Sequence, residues 1–466
     1  MNDGIKDAPG ASGLTPSGDP PTDEARWAED PRWRDVIPLD LTGTTHLLVV
    51  AAHPDDETLG VGGLLAGLPA DVDLDVVVAT DGQASHPRSP THTPADLARI
   101  RRAEAREVVA ELAPHARLHL LGLTDGGLAD EQDELTAALV RLTRPGESVL
   151  LAPYRSDGHP DHEAAARSAA AAAWRTDARL LEYPVWLWHW EGPDALPWGS
   201  ARRVDLSDEA RRRKARAVAG HRSQVEPLSD RPGDEVLLRP DMLAHFARAW
   251  ETLLVAEPGE SSPFEDVHAR EADPWEVRTS WYERRKRALT LASLPHERYA
   301  VGVEVGCSVG ALADDLLGRC DAVVAVDESA AALGRVEGAD RLRTVQASLP
   351  EEWGRLEEAL GGEAVDLVVL SEVGYFLSPG RLRELARRVG QLVAGSDRAT
   401  VLACHWRHEI VGWPLTGDEV HELVGEAMTG AGLERRSHTV EEDFVLTVWS
   451  ATGVLRGAAL PEQQDV

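Results

Sequence analysis

The chain contains 466 residues with a formal net charge of -31 at pH 7, and 43% of its residues are hydrophobic. This length is too great for one ordinary core and predicts two or three domains, while the negative charge argues against nucleic acid and membrane surfaces as partners. No apolar run approaches the ~20 residues of a membrane span, and the first residues lack a secretory signal pattern, which together predict a cytoplasmic protein.

The first 40 residues are rich in Pro, Gly, Asp and Ser and show no apolar period, which predicts a flexible or loosely attached N-terminal tail whose last part could be pinned to the body by Trp27 and Trp33. From residue 41 to residue 255, apolar runs alternate with segments of helical period, as in βαβ units. Strands are predicted at residues 46–52, 74–80, 118–123 and 148–154, and helices at residues 96–112, 163–174 and 214–224. This first domain is therefore predicted to be α/β and Rossmann-like, with a mostly parallel sheet flanked by helices.

Residues 184–190 place a tryptophan at every second position from residue 186 onwards. This alternation predicts a strand that carries Trp186, Trp188 and Trp190 on one face. Such a row fits either core or interdomain packing, or a platform beside a sugar-like substrate.

A turn-rich, acidic stretch then predicts a linker at residues 256–272. It separates the first domain from a second one at residues 273–455, and residues 456–466 are predicted to be a C-terminal tail. In the second domain, strands are predicted at residues 301–305, 322–326, 365–370 and 400–404, with a helix at residues 311–317. The second domain is therefore predicted to have the same α/β class and a Rossmann-like fold.

Imidazole and carboxylate groups follow two of the predicted strands of the first domain. His53 and Asp56 come directly after the strand at residues 46–52, and His162 follows the strand at residues 148–154. Because the carboxyl ends of parallel strands face the ligand crevice, these side chains are expected to converge. Two histidines and one carboxylate leave a fourth position for water, which is typical of a catalytic zinc site. We predict a Zn²⁺ site, although the same ligands accept other divalent ions.

Three neighbouring side chains are candidates for the catalytic steps. Asp55 is placed to take a proton from metal-bound water. His159, held by Asp161, is placed either to stabilise the oxyanion of the attacked amide or to protonate the leaving amine. The sequence therefore predicts a metal-dependent amide hydrolase.

The motifs Ala-His-Pro-Asp-Asp-Glu, at residues 52–57, and His-Pro-Asp-His, at residues 159–162, resemble those of the PIG-L (LmbE-like) family of zinc-dependent de-N-acetylases. The resemblance covers about residues 41–255, and many members of that family act on N-acetylglucosamine conjugates. It implies the same metal ligands and catalytic roles, together with substrate contacts from Arg101 and Asp125.

A glycine turn follows the first predicted strand of the second domain, at Glu304-Val305-Gly306-Cys307-Ser308-Val309-Gly310. Such a turn lets the backbone approach a nucleotide closely, and Asp327 ends the next strand, where an acid can hold ribose hydroxyls. With Ser371-Glu372 at the end of a further strand, the pattern resembles class I S-adenosylmethionine-dependent methyltransferases. The resemblance implies that the methyl donor is held by Glu304, Gly306, Gly310, Asp327, Ser371 and Glu372.

Further stretches across about residues 273–452, among them Asp273-Pro274-Trp275 and Ser280-Trp281-Tyr282-Glu283, resemble the NodS-like methyltransferases. The nodulation member of that family N-methylates a glucosamine that a separate deacetylase has uncovered. The resemblance implies an acceptor site that contains Trp281, Tyr282, Glu372, Tyr375 and His405.

The two predicted chemistries can act in series, because amide hydrolysis turns a non-nucleophilic nitrogen into an amine that a methyltransferase can use. We therefore hypothesise a bifunctional tailoring enzyme that removes the acetyl group of an N-acetylglucosamine-type conjugate and then N-methylates the freed amine. Three alternatives stay open: the domains act on unrelated substrates, the transferase methylates oxygen, or one domain is a non-catalytic binding module. The expected partner is a small amino-sugar conjugate, with no nucleic acid and no membrane.

Overall fold

The computed structural model describes residues 22–259, 263–338 and 340–451. Residues 1–21 of the predicted N-terminal tail and the predicted C-terminal tail at residues 456–466 lie outside the described residues. The chain divides into two units, and the boundary between them falls inside the predicted linker. Each unit is built on one seven-stranded sheet. Both sheets are mostly parallel and flanked by helices, which confirms the predicted fold class.

The strands of the first unit are β1 (His46–Ala51), β2 (Asp73–Thr80), β3 (Arg117–Leu123), β4 (Ser148–Pro153), β5 (Arg179–Tyr183), β6 (Ala201–Asp205) and β7 (Trp250–Ala256). Its helices are α1 (Glu24–Ala28), α2 (Asp56–Gly67), α3 (Pro94–Leu112), α4 (Gln132–Leu142), α5 (Pro160–Thr176), α6 (Leu187–Trp190), α7 (Asp208–Gly220), α8 (Arg222–Val225) and α9 (Pro240–Ala244). In space the strands follow the order β3-β2-β1-β4-β5-β7-β6, and β7 runs antiparallel to both of its neighbours.

The central strand β1 is buried on both faces of the sheet. Leu47 and Val49 belong to the core on one face, and Leu48 and Val50 belong to the core on the other. Helices cover both faces of a parallel sheet, which is why β1 is a continuous apolar run rather than an alternating one. The loop that follows β1 is therefore anchored by a strand with no exposed side.

Residues 22–40, within the predicted flexible tail, are packed against the first unit. Trp27 in α1 is fully buried, and its Nε1 donates a hydrogen bond to the carbonyl of Trp188 at 2.8 Å. Trp33 is also buried, and its Nε1 donates to the carbonyl of Trp27. Trp27 and Trp33 thus attach this part of the tail, as the sequence analysis allowed, and the prediction of flexibility is wrong for residues 22–40 because these two large side chains bury apolar area.

The predicted strand at residues 184–190 is also wrong, because the chain turns after β5 and forms α6 instead. The carboxylate of Asp157 accepts the backbone N–H groups of residues 185–187, so these groups are not available to a strand partner. The turn brings Trp186 onto Trp190, with parallel rings 4.8 Å apart. The tryptophans of this segment consequently do not share one face of a strand.

The strands of the second unit are β8 (Tyr299–Val305), β9 (Cys320–Asp327), β10 (Leu342–Gln346), β11 (Leu367–Ser371), β12 (Thr400–Trp406), β13 (Glu434–Val440) and β14 (Phe444–Ser450). Its helices are α10 (Pro263–Arg270), α11 (Trp281–Ser293), α12 (Ala311–Leu316), α13 (Ala330–Leu333), α14 (Trp353–Leu360), α15 (Pro379–Val393) and α16 (Gly417–Gly430). The strand order is β10-β9-β8-β11-β12-β14-β13, with β14 antiparallel to both neighbours. Within the described ranges, no helix is both long enough and apolar enough to cross a bilayer.

Helix α10 occupies part of the predicted linker. Its His268 is buried, with its ring 5.0 Å from that of Trp275 and its Nε2 3.4 Å from the hydroxyl of Ser308. The linker prediction is therefore wrong for this helix, because its contacts with the second unit come from residues that charge and turn content do not reveal.

Candidate active sites

Two loops of the first unit meet at the carboxyl end of its sheet. The loop after β1 carries His53 and leads into α2, and the loop after β4 leads into α5. Because β1 and β4 are parallel, hydrogen-bonded neighbours, both loops leave the sheet at the same edge. Side chains far apart in the sequence are thereby brought together: Nε2 of His53 lies 3.2 Å from Oδ2 of Asp161, 108 positions further along the chain.

The three predicted metal ligands converge at this edge. The ligand atoms of His53, Asp56 and His162 all lie within 4.8 Å of one another, and all three residues are buried. Nε2 of His162 is 3.2 Å from Oδ1 of Asp56, and Nδ1 of His53 is 3.5 Å from Oδ2 of Asp56. Nε2 of His162 is buried without a hydrogen-bond partner among the described residues. A buried imidazole nitrogen that faces a carboxylate without such a bond fits a divalent cation, which takes both kinds of ligand.

Asp157 supports this site and was missed by the sequence analysis. Its Oδ2 lies 2.7 Å from Nδ1 of His162, and both residues are buried. A carboxylate on the far nitrogen fixes the proton there and leaves Nε2 with a free lone pair for the metal. The available signal was its position one residue before the Gly158–His162 loop, because histidine ligands usually have such a carboxylate partner.

Asp55 sits at the start of α2 in a strained conformation, with a φ of 147°. Nη2 of Arg101 lies 3.1 Å from its Oδ2 and also donates to the carbonyl of Pro54 at 2.9 Å. Burial raises the pKa of Asp55, and the Arg101 guanidinium opposes this shift. Nη1 of Arg101 donates to the carbonyl of Gly82, whose φ is +63° and where an added Cβ would lie 2.0 Å from Nη1. Arg101 therefore holds the backbone of Pro54 and the carboxylate of Asp55 in place. A contact of Arg101 with substrate stays a prediction.

His159 lies beside the ligand set as a neutral imidazole. Its ring stacks on His162 at 4.6 Å and meets the edge of His53 at 4.8 Å. Burial, together with the charges of His162 and His53, lowers the pKa of His159 to about 2. Nδ1 of His159 accepts the backbone N–H of Asp161 at 3.2 Å, so the ring proton resides on Nε2. His159 can therefore donate a hydrogen bond from Nε2.

Asp161 holds His159 through its backbone N–H and not through its carboxylate. The carboxylate accepts the backbone N–H of Gly126 at 2.7 Å and lies 3.2 Å from Nε2 of His53. Oδ1 of Asp125 lies 3.2 Å from the same nitrogen. The loop after β3 thus orients His53 in two ways. The carboxylate of Asp125 faces Nε2 of His53, and the backbone N–H of Gly126 holds Asp161 beside the same nitrogen. A role of Asp125 in substrate binding stays a prediction.

In the second unit, a glycine turn joins β8 to α12. Gly306 and Gly310 have φ values of +75° and +77°, which only glycine adopts readily, and Ser308 between them has a φ of 50°. The backbone N–H of Ser308 donates to Oδ2 of Asp327 at 2.8 Å, and that of Ser329 donates to Oδ1 at 2.9 Å. Asp327 thus ties the turn to the end of β9, and its contact with a ribose stays a prediction.

Glu304 is a buried carboxylate at the end of the central strand β8. Burial, and then the charge of Asp327, raise its pKa well above the ordinary value. Its Oε2 has no hydrogen-bond partner within the described part of the chain. Such an oxygen is costly to bury unless a bound group supplies a donor. The site therefore fits an N–H donor, such as the ammonium group of S-adenosylmethionine.

Glu372 follows β11 and lies at the centre of a polar cluster. Its Oε1 accepts a hydrogen bond from Nζ of Lys286 at 2.6 Å, and its Oε2 accepts the hydroxyl of Tyr375 and the backbone N–H of Trp406. Ser371, which was predicted to help hold the methyl donor, is the last residue of β11 and precedes Glu372. Its contact with the donor stays a prediction. The structure therefore brings Glu372 and Tyr375 together, and it adds Lys286, which the sequence analysis did not select.

His405 is fully buried and is not directed at an acceptor. Its Nε2 accepts the backbone N–H of Gly374 at 3.0 Å, and its Nδ1 lies 3.1 Å from Nε2 of His421. The prediction of an acceptor contact fails here, because both ring nitrogens already have partners: Nε2 holds the loop after β11, and Nδ1 faces His421 on α16. Trp281, at the start of α11, is 69% exposed, whereas Tyr282 packs its ring against Trp406 at 5.9 Å.

Two protein-family models match the chain. The family of GlcNAc-PI de-N-acetylases, PIG-L, matches residues 48–173, and the family of nodulation protein S, NodS, matches residues 265–436. These matches confirm both resemblances inferred from the sequence.

Individual relatives cover one unit each. The nodulation protein S of Rhizobium tropici is 30% identical over 26% of this chain and 49% of its own length. The 1D-myo-inositol 2-acetamido-2-deoxy-alpha-D-glucopyranoside deacetylase of Actinosynnema mirum is 31% identical over 29% of this chain and 56% of its own length. The chain thus spans about half the length of these curated relatives. Among solved structures, the N-methyltransferase NodS of Bradyrhizobium japonicum WM9 in complex with S-adenosyl-L-homocysteine is 18% identical over 41% of this chain and 100% of its own, with a TM-score of 0.35. Residues 48–173 are therefore similar to the PIG-L de-N-acetylases, and residues 265–436 are similar to the NodS methyltransferases.

Proposed function

We propose that the chain is a bifunctional tailoring enzyme. Its first unit removes the acetyl group of an N-acetylglucosamine-type conjugate with the help of a divalent metal ion, and its second unit N-methylates the freed amine with S-adenosylmethionine. The observation that carries the proposal is the unpartnered Nε2 of His162, which faces Asp56 at the carboxyl end of the first sheet. The unpartnered Oε2 of Glu304 supports the second half of the proposal in the same way.

His53, Asp56 and His162 would hold the ion, which is Zn²⁺ or another divalent cation. When bound, the ion supplies Lewis acidity that polarises the amide carbonyl and makes water nucleophilic near neutral pH. Asp157 keeps the proton of His162 on Nδ1, so that Nε2 remains available as a ligand. Asp161 and Asp125 orient the ring of His53 through its Nε2.

Asp55 takes the proton from the attacking water and passes it to the leaving amine. Its raised pKa suits this exchange, because a base whose pKa lies closer to neutrality both accepts and returns a proton. His159 donates its Nε2–H to the oxyanion that develops on the carbonyl oxygen. The low pKa of His159 keeps the ring neutral, which favours oxyanion stabilisation over protonation of the leaving group.

The second unit uses the amine that the first unit releases. The turn from Gly306 to Gly310 allows close approach of the methyl donor, and Glu304 accepts a hydrogen bond from its ammonium group. An amide nitrogen is a poor nucleophile because its lone pair is delocalised into the carbonyl group. Hydrolysis must therefore precede methylation, which gives the order of the two steps.

The experiment incubates the purified full chain with Zn²⁺ and three acetylated amino sugars in separate reactions. These are 1D-myo-inositol 2-acetamido-2-deoxy-alpha-D-glucopyranoside, N-acetyl-alpha-D-glucosaminyl L-malate and N,N'-diacetylchitobiose. Mass spectrometry follows each reaction with and without S-adenosylmethionine. Without the methyl donor, at least one compound should lose an acetyl group and stop at the free amine. With the methyl donor, that amine should gain a methyl group on nitrogen.

Co²⁺ and Fe²⁺ replace Zn²⁺ in parallel reactions and identify the ion that supports hydrolysis. The corresponding free amines, supplied directly with S-adenosylmethionine, test the second step independently of the first. Methylation of the intact amide, or methylation on oxygen, contradicts the serial reaction. Hydrolysis without methylation of any supplied amine contradicts the second half of the proposal.

A further inference from the structure

A buried lysine lies between two carboxylates at the carboxyl end of the second sheet. Nζ of Lys286 donates hydrogen bonds to Oε1 of Glu283 at 2.8 Å and to Oε1 of Glu372 at 2.6 Å. Lys286 is 4% exposed, and both carboxylates raise its pKa although burial lowers it. One ammonium and two carboxylates leave one net negative charge, so the cluster has a charge that a bound cation can balance.

Glu372 is held rigidly but remains accessible. Oε1 of Glu372 accepts a hydrogen bond from Lys286. Its Oε2 accepts one from the hydroxyl of Tyr375 and one from the backbone N–H of Trp406. Its φ of 57° is strained for a residue with a side chain, and such strain is concentrated at functional sites. The Glu372 side chain is nevertheless 27% exposed to solvent. The neighbouring Tyr282 has a hydroxyl group without a hydrogen-bond partner among the residues that the structure describes.

The cluster adjoins the glycine turn of the second unit. Strands β8 and β11 are parallel neighbours, so the glycine turn and the loop after β11 share one edge of the sheet. A Cβ added to Gly306 would lie 2.9 Å from Cβ of Val373, the residue after Glu372. A methyl donor on the glycine turn would therefore have Glu372 beside it, which is where the acceptor nitrogen has to bind.

We propose that Glu372 binds the acceptor nitrogen as an ammonium ion and receives its proton, and that Lys286 and Tyr375 position the carboxylate for this role. Tyr282 supplies its free hydroxyl oxygen as a second acceptor for the ammonium N–H groups. The proposal rests on the proposed methyl transfer to an amine, and it assigns the groups that recognise this amine over an alcohol: Glu372, with Lys286 and Tyr375 behind it. A hydroxyl group carries no charge to balance the negative cluster, so the site discriminates against it.

The step balances with a sulfonium methyl donor as the co-reactant. The ammonium gives one proton to the Glu372 carboxylate, which frees the nitrogen lone pair. That pair forms the new N–C bond, while the C–S bond breaks and leaves its electron pair on sulfur as a thioether. The methylated nitrogen bears the positive charge, and Glu372 releases its proton to solvent on product release.

The test measures binding of two sugars to the full chain saturated with S-adenosylhomocysteine. Methyl α-D-glucosaminide carries the amine, and methyl α-D-glucopyranoside carries a hydroxyl at the same position. Calorimetry at about pH 6, where a primary amine is protonated, should give a preference for the amine of about 10–100-fold, as expected for a hydrogen bond between charged groups. Glu372→Gln should abolish this preference without changing the affinity for S-adenosylhomocysteine. Tyr375→Phe should weaken the preference severalfold.

Glu441→Gln is the matched control, because Glu441 pairs with Arg285 on the same helix α11 but lies outside the cluster. It should retain the full preference. Equal or undetectable binding of the two sugars by the unaltered chain overturns the proposal, as does a preference that survives Glu372→Gln. Loss of S-adenosylhomocysteine binding in Glu372→Gln also overturns it, by assigning the carboxylate to the methyl donor. An intact preference in a chain that does not methylate its own hydrolysis product rejects the serial function and retains this assignment.

Discussion

The two units arrange their strands in the same spatial order, yet they differ in how the polar groups at the strand ends are satisfied. After β1, buried imidazoles and carboxylates face one another, and the carboxylate of Asp56 lies within 3.5 Å of nitrogens from two histidines. After β8, a glycine turn exposes backbone, and Glu304 keeps an oxygen without a partner among the described residues. The shared topology determines where a ligand binds, whereas the residues placed there decide between a metal ion and a cationic donor.

Both units also concentrate backbone strain at these ends. Five described residues other than glycine have a positive φ, and three of them, Asp55, Ser308 and Glu372, lie in loops that follow strands, whereas Asp177 and Glu276 do not. Such conformations persist only where the surrounding structure enforces them. The comparison thus identifies the same edge of each sheet as the functional one, although the chemistry differs.

The largest effect is expected from removal of a metal ligand. His162→Ala should eliminate metal binding to the first unit and lower hydrolysis by about 10³-fold, equivalent to about 4 kcal/mol of transition-state stabilisation. Methylation of a supplied free amine should be unchanged, because the second unit has its own site. Metal analysis and the two separate rate assays check this result. His115→Ala, which alters an exposed histidine of the same unit, is the control. Retention of metal and hydrolysis would exclude His162 as a ligand.

A smaller effect is expected from the carboxylate behind that ligand. Asp157→Asn weakens the bond to Nδ1 of His162 and should reduce metal affinity or activity by about 10–100-fold. Competition with a chelator measures the affinity, and Asp130→Asn, at an exposed position, serves as the comparison. If Asp157→Asn binds metal as tightly as the unaltered chain, the orienting role of Asp157 is wrong.

In the second unit, Glu304→Gln should have opposite effects on binding and on stability. It should weaken S-adenosylhomocysteine about tenfold, because a carboxylate acceptor is lost. It should also stabilise the free protein near neutral pH. Burial raises the pKa of Glu304, so the folded state retains a proton that the unfolded state releases above about pH 4.5. Stability of the unaltered chain therefore falls as pH rises through this range.

Calorimetry and denaturant unfolding at several pH values test both effects of Glu304→Gln. The difference in stability between the two proteins should vanish below about pH 4, where Glu304 is protonated in the unfolded state of the unaltered chain as well as in its folded state. A constant difference at all pH values would show that Glu304 is ionised in the folded protein.

The smallest effect on activity is expected at the opposite end of the first sheet. Asp75 on β2 lies 2.9 Å from Nε2 of His46 and 2.7 Å from Nε2 of His119, and it accepts two hydrogen bonds from Arg117. Asp75→Asn should cost about 2–4 kcal/mol of stability, because it removes the charge from a buried network, while both activities per folded molecule stay unchanged. A loss of hydrolysis without a loss of stability would contradict the view that the Asp75 end of the first sheet is structural and that its carboxyl end is catalytic.

The cost of Asp75→Asn should depend on pH. Burial alone would raise the pKa of Asp75, but the hydrogen bonds from His46, Arg117 and His119 lower it well below the ordinary value. The stabilisation of the fold by the ionised Asp75 carboxylate is therefore complete above about pH 4, and it is lost as pH falls toward the lowered pKa of Asp75. Urea unfolding between about pH 3 and pH 7 measures the trend.

The sequence by itself determined the α/β class, the two sheets and the positions of His53, Asp56 and His162 after two apolar runs. These features depend on local patterns: a continuous apolar run marks a buried parallel strand, and the loop after such a strand lies at the ligand edge. The tertiary structure decided which groups support the site residues. Lys286 behind Glu372 acts across 86 positions of the chain, and no local period encodes such a contact. The same reason explains the wrong strand prediction at residues 184–190, because the N–H groups of residues 185–187 bind a carboxylate that only the folded chain brings to them.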